Sequence, residues 1–103
     1  MTEYTLVSPI TTHAGQVTKI TLKRPKARAY ITYGEPFTFE RKFDADGTTT
    51  GLISHQNTKA FQGFMAEMTG LDPIDLEDLD AFDFRSICGL IQALIVNPPT
   101  PAT

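Results

Sequence analysis

The 103-residue sequence has one cysteine, Cys88, and only two histidines, His13 and His55. A single thiol excludes an intramolecular disulfide and fits a reducing compartment. No apolar run approaches the ~18 residues that a membrane span requires. The longest, Ile87 to Val96, is interrupted by Gly89 and Gln92. The opening MTEYTLVSP lacks the basic flank and apolar stretch of a secretory signal. There is no glycine-rich phosphate loop and no G-x-S-x-G nucleophile elbow, so neither nucleotide chemistry nor serine hydrolysis is expected. Lysine and arginine are missing from Asp72 to Asp83, a stretch holding six acids.

What is present is the composition of one small globular domain, 41% hydrophobic and 20% charged. The net charge of −3 hides an asymmetry. Residues 1–42 hold seven Lys/Arg against three Asp/Glu, and residues 43–103 hold two against nine, giving +4 and −7. Opposite charge favours contact between the halves. The five basic residues Lys19, Lys23, Arg24, Lys26 and Arg28 stand beside an acidic remainder that repels phosphates, so nucleic acid is not the expected partner.

Residue patterns predict an α+β domain. Tyr4–Ile10 and Gln16–Lys23 read as strands around the turn Thr12-His13-Ala14-Gly15, with Ile20 and Leu22 on one face and Lys19, Thr21 and Lys23 on the other. Pro25 is expected in the first turn of a short helix running through Lys26-Ala27-Arg28-Ala29-Tyr30 towards Gly34. After Pro36, Phe37, Phe39 and Phe43 share one side of a strand, and Asp46-Gly47 is a type I′ turn pair. Thr48–Ile53 then either returns as a second, weaker hairpin arm or forms a mobile loop.

The C-terminal half reads as helices. Asn57 is placed to cap a helix carrying Phe61, Phe64, Met65 and Met68, which Gly70 ends. Asp72-Pro73 begins a short turn bearing Leu76 and Leu79. Asp80 or Asp83 caps the last helix, whose stripe is Phe84, Ile87, Leu90, Ile91, Leu94 and Ile95. Residues 1–96 make a single domain, and 97–103 form a flexible Pro-rich tail.

The six acids read as helix-start carboxylates on a solvated face. Asp44-Ala45-Asp46-Gly47 opens like a calcium loop, but its glycine comes two positions early and His55 stands where the closing Glu belongs. His13, His55 and Cys88 are scattered without paired ligand spacing. The sequence therefore nominates no catalytic, cofactor-binding or metal-binding residue, and a protein that is not an enzyme is expected. The last helix is apolar or small around much of its circumference, so Ile91, Leu94 and Ile95 are candidates for a partner-binding surface.

Three segments in order carry a resemblance: a hairpin with the pattern L..PI....G.V..ITLKRPKA over Leu6–Ala27, a helix ending Met68-Thr69-Gly70-Leu71, and L..LD..DF over Leu76–Phe84. Together they resemble the tail assembly chaperone family of tailed bacteriophages and Mu-like prophages, across Leu6 to Ile95. Ala29 stands where members often carry an acid, and Glu35–Ser54 is longer than in compact members. The resemblance implies a non-enzymatic protein of the host bacterial cytoplasm, without cofactor, that binds the tape measure protein and also tail tube subunits before the tail polymerises. It implies absence from the mature virion as well; self-association is a separate expectation, drawn from the apolar arc of the last helix. A virion structural tail subunit and a small nucleic-acid-binding regulator are the alternatives.

Overall fold

A computed structural model describes residues 2–97. Beyond Asn97 the Pro-rich tail lies outside the described residues. The order is β1 (Thr2–Thr12), β2 (Gly15–Leu22), α1 (Ala27–Tyr33), β3 (Phe37–Phe43), β4 (Thr49–Gln56), α2 (Thr58–Thr69), α3 (Pro73–Leu76) and α4 (Ala81–Val96). The fold is α+β, with two separate antiparallel hairpins, β1–β2 and β3–β4, and a helical C-terminal half.

The first hairpin is the floor of the core. Leu6, Ile10, Ile20 and Leu22 point inward from alternate positions while Thr5, Lys19 and Thr21 face water. Thr5 pairs with Lys19 but Ile10 pairs with Val17, so β1 carries three more residues than β2 across this interval. Pro9, which has no N–H to give to a ladder, sits in the resulting bulge. Phe61, Phe64, Met65 and Met68 of α2 pack on this floor together with Leu76, Leu79, Ile87 and Ile91. The main chain also joins the layers, since Lys23 N–H donates to the Met68 carbonyl at 3.0 Å.

That bond explains a departure from the expected helix start. The chain stays extended past Lys23 through Lys26 (φ −108°, ψ 161°), so Pro25 precedes the N-cap and α1 begins only at Ala27. Gly34, at φ 82°, ends it. α1 lies on α2 through Tyr30, whose ring meets Phe64 edge-on at 5.1 Å. Tyr33 covers Gly63, where a Cβ would overlap its ring, which accounts for a glycine inside α2.

The caps of the C-terminal half follow the sequence reading. Asn57 accepts from Ala60 N–H, Gly70 adopts the left-handed conformation, and Asp72 and Asp80 accept from Ile74 and Phe82 N–H.

The second hairpin forms with full pairing from Phe37↔Gln56 to Phe43↔Thr49, so the loop alternative is excluded and β4 extends to Gln56. Its turn is not type I′, which needs positive φ at both central residues. Only Gly47 has it (φ 80°), and the Asp44 carboxylate fixes the loop by accepting from Asp46 and Thr48 N–H. Phe37 stacks near Phe61 and anchors the base of this arm. From Thr38 to Phe43 every residue is exposed. The projecting arm helps raise the radius of gyration to 16.1 Å, against about 13 Å for a compact chain of this length.

Body and arm should differ in mutational cost. Phe64→Ala and Ile87→Ala should each destabilise by about 2–5 kcal/mol, whereas Phe43→Ala at the arm should change global stability by less than about 0.5 kcal/mol. Urea unfolding of the three variants at low protein concentration measures the contrast.

Candidate functional site

The scattered polar candidates stay apart in space. His13, on the β1–β2 turn, lies 3.5 Å from the Asp75 carboxylate, and His55, on the arm, lies 3.1 Å from Glu40. Cys88 is buried in the core, and that burial pushes its thiol up to about 11. Among the described residues no group of three or more His, Cys, Asp or Glu is arranged to hold a metal. No described helix is long and apolar enough to cross a membrane.

The basic segment after β2 lines a small cleft with Glu67, and its arginines have partners within the chain. Arg28 pairs with Glu67. The Arg24 guanidinium donates to the Leu94 carbonyl at 2.7 Å, satisfying an acceptor in the last turn of α4 and opposing the negative end of its dipole. Both contacts join the basic half of the chain to the acidic half.

One of the six acids departs from the solvated face expected of it. Asp83 is completely buried in the first turn of α4. Its Oδ1 accepts from the Tyr4 hydroxyl at 2.7 Å and from Val7 N–H at 3.0 Å, and its Oδ2 accepts from Ser8 N–H at 3.0 Å. The two backbone donors, Val7 and Ser8 N–H, lie in the β1 bulge, where the strand ladder is interrupted. Burial alone would raise the carboxyl, yet the Val7, Ser8 and Tyr4 bonds outweigh it and hold the group below its ordinary value of 3.8. The Tyr4 hydroxyl, drawn down by a hydrogen bond with Ser86, is raised on balance by its bond to Asp83, by burial and by the nearby negative charges.

The proposed partner-binding residues divide. Ile91 is fully buried in the core and is not available to a partner without opening the fold. Leu94 and Ile95 are half-buried and pack against the same core, because the α4 face that starts at Asp83 continues through Ile87 and Ile91.

An open concavity lies instead between α2, α3 and the start of α4. It encloses about 340 Å³, with Leu76, Leu79 and Phe84 supplying apolar lining and Thr58, Lys59 and Gln62 a polar wall. Gln62 Nε2 donates to the Pro73 carbonyl at 2.9 Å, tying the wall to α3. Thr58 and Phe84 also line a neighbouring cleft with Phe61, Arg85 and Cys88, so the two run together along the α2–α4 seam. Ile74 on α3 and Phe82 on α4 remain 71% and 65% exposed. An apolar lining with a polar wall suits a helix laid into it. Leu76 and Leu79 were legible as the apolar residues of a short turn and Phe84 as the start of the last helix's stripe, but that the three line one groove required the fold.

No family model, curated protein or solved structure matches this chain.

Asp83→Ala should cost about 2–4 kcal/mol, since three donors lose their acceptor, and Tyr4→Phe about 0.5–2 kcal/mol. Because the folded-state value of Asp83 lies below its ordinary 3.8, its stabilisation is full above that value and is lost as pH falls through the lower folded one. Asp83→Asn should therefore show a shallower loss of urea stability than the parent chain on acidification through this range.

Proposed function

We propose that this chain is a non-enzymatic assembly chaperone of the phage tail type. In this reading it binds the tape measure protein, and also tail tube subunits, in the host bacterial cytoplasm before polymerisation and is left out of the mature virion. The reading begins from the three-segment resemblance. The observation that carries it further is the apolar groove along the α2–α4 seam, with Ile74 of α3 and Phe82 of α4 also exposed.

A long helical client with apolar faces stays dispersed only if those faces are covered until the tube encloses it. A groove floored by Leu76, Leu79 and Phe84 offers such a face the burial it lacks in water, at roughly 25 cal/mol per Å². The acidic residues around it, Asp72, Glu77, Asp78 and Asp80, keep the outer surface of a complex charged and soluble. Many copies along one client would each contribute a modest contact.

Co-expression with a phage tape measure protein, which this reading expects to be encoded near this gene, tests it. The chain should raise soluble recovery of the client several-fold and co-purify with it. Thr58→Arg, at the exposed residue shared by both clefts, should lower that recovery at least threefold without shifting the thermal midpoint. A client equally soluble with and without the chain rejects the function. Stoichiometric recovery of the chain in finished particles would make it a structural subunit instead.

A further inference from the structure

The β3–β4 arm presents an arrangement that neither the groove nor the client requires. Within β3, Phe39, Arg41 and Phe43 share one face, and Leu52, paired with Arg41, joins them from β4. Phe39, Phe43 and Leu52 are 53%, 59% and 64% exposed. The opposite face carries Glu40 and Lys42. The arm is a two-stranded sheet, so the outer edge of β3 has no strand partner among the described residues. An isolated two-stranded hairpin is at best marginally stable in water, and a free apolar edge is a template for pairing.

The sequence along that edge states what would pair with it. Phe39-Glu40-Arg41-Lys42-Phe43 reads, from its centre outward, as an acid and a base at one step and a phenylalanine on each side at two steps. Laid antiparallel against a second copy with Arg41 at the centre, Phe39 meets Phe43 of the other copy and Glu40 meets Lys42, each pairing occurring twice. Cross-strand aromatic pairs and opposite charges are the combinations that stabilise neighbouring strands. Only Arg41 faces its own copy, a like-charge contact that opposes pairing; it lies on the aromatic side, where a guanidinium has phenylalanine faces to lie over. The β4 edge offers nothing comparable. The extra residue that breaks the register, Thr50, is in β4, and that strand carries no Lys, Arg, Asp or Glu.

We propose that the free edge of β3 is a self-association site that pairs antiparallel with β3 of a second copy of this chain, centred on Arg41, to give a four-stranded β4–β3–β3–β4 sheet. One face of that sheet gathers Phe39, Phe43 and Leu52 from both copies around the two central Arg41 side chains. The proposal does not rest on the chaperone reading, because it concerns the purified chain alone.

Charge exchange tests it. The parent chain should show concentration-dependent dimerisation by sedimentation equilibrium up to millimolar protein. Glu40→Lys and Lys42→Glu each turn two attractive pairs into two repulsive ones and should weaken dimerisation about tenfold. The combined E40K/K42E exchange restores both pairs and should return the affinity to within about threefold of the parent. Both side chains are exposed and outside the core, so thermal midpoints of the body should not move. A chain that stays monomeric throughout, single exchanges without effect, or a double exchange no better than the singles would each overturn the proposal. A loss confined to Glu40→Lys would overturn it too, since that change also breaks the contact with His55.

Discussion

The body of this protein depends on a carboxylate that has no water to turn to. Asp83 is sealed between the first turn of α4 and the bulge of β1, and the three donors around it belong to a strand some 75 residues earlier in the chain. Without those donors the acid would be buried without compensation, and the bulge supplies two of them by turning Val7 and Ser8 N–H towards it. The clamp also fixes the rotation of α4 about its axis. Ile87 and Ile91 follow Asp83 at intervals of four residues, so once Asp83 faces β1 they must enter the core, and Phe84 is turned towards the groove.

This explains which parts of the chain were legible in the sequence. Periodicity was sufficient for α2, because Phe61, Phe64, Met65 and Met68 make a stripe bounded by Asn57 and Gly70, whose capping chemistry is local. It was sufficient for β2, where apolar and charged residues alternate. Asp83 was missed because acids at helix starts are ordinarily solvated, although it stands on the same helical face as Ile87 and Ile91 and so leads the buried stripe. The proline in β1 was the second half of that signal. Neither residue explains the other until the strand and the helix are brought together, which is a tertiary fact. The turn after Phe43 was misread for a different reason. Asp-Gly permits a type I′ pair, but the Asp44 carboxylate offers its neighbours an alternative set of hydrogen bonds that the dipeptide alone does not reveal.

The residues that carry the family resemblance are, in this structure, mostly those with a structural task. Leu6, Ile10, Ile20 and Leu22 are core, Gly70 is the left-handed cap, Leu76 and Leu79 are core, Asp80 is an N-cap and Asp83 is the clamp. Such residues specify how the body folds and do not by themselves define a partner surface. The stretch that appeared long against the resemblance, Glu35–Ser54, is the arm with most of its returning strand, and Phe37 is the arm residue that packs on the core.

That separation has a consequence for how the chain can work. Ile91 is buried and so closed to a partner, Leu94 and Ile95 are half-buried against the core, and α4 contributes Phe84 to the groove. A client in the groove and a second copy on β3 would use different elements, and neither contact requires the body to open. The base of the arm joins the two through a short path, because Phe37 stacks on Phe61 and Phe61 lines the cleft beside Phe84. Pairing that orders the arm would therefore steady one wall of the groove. A client long enough to hold several copies would gain from that coupling at each of them, which is how weak individual contacts become durable coverage.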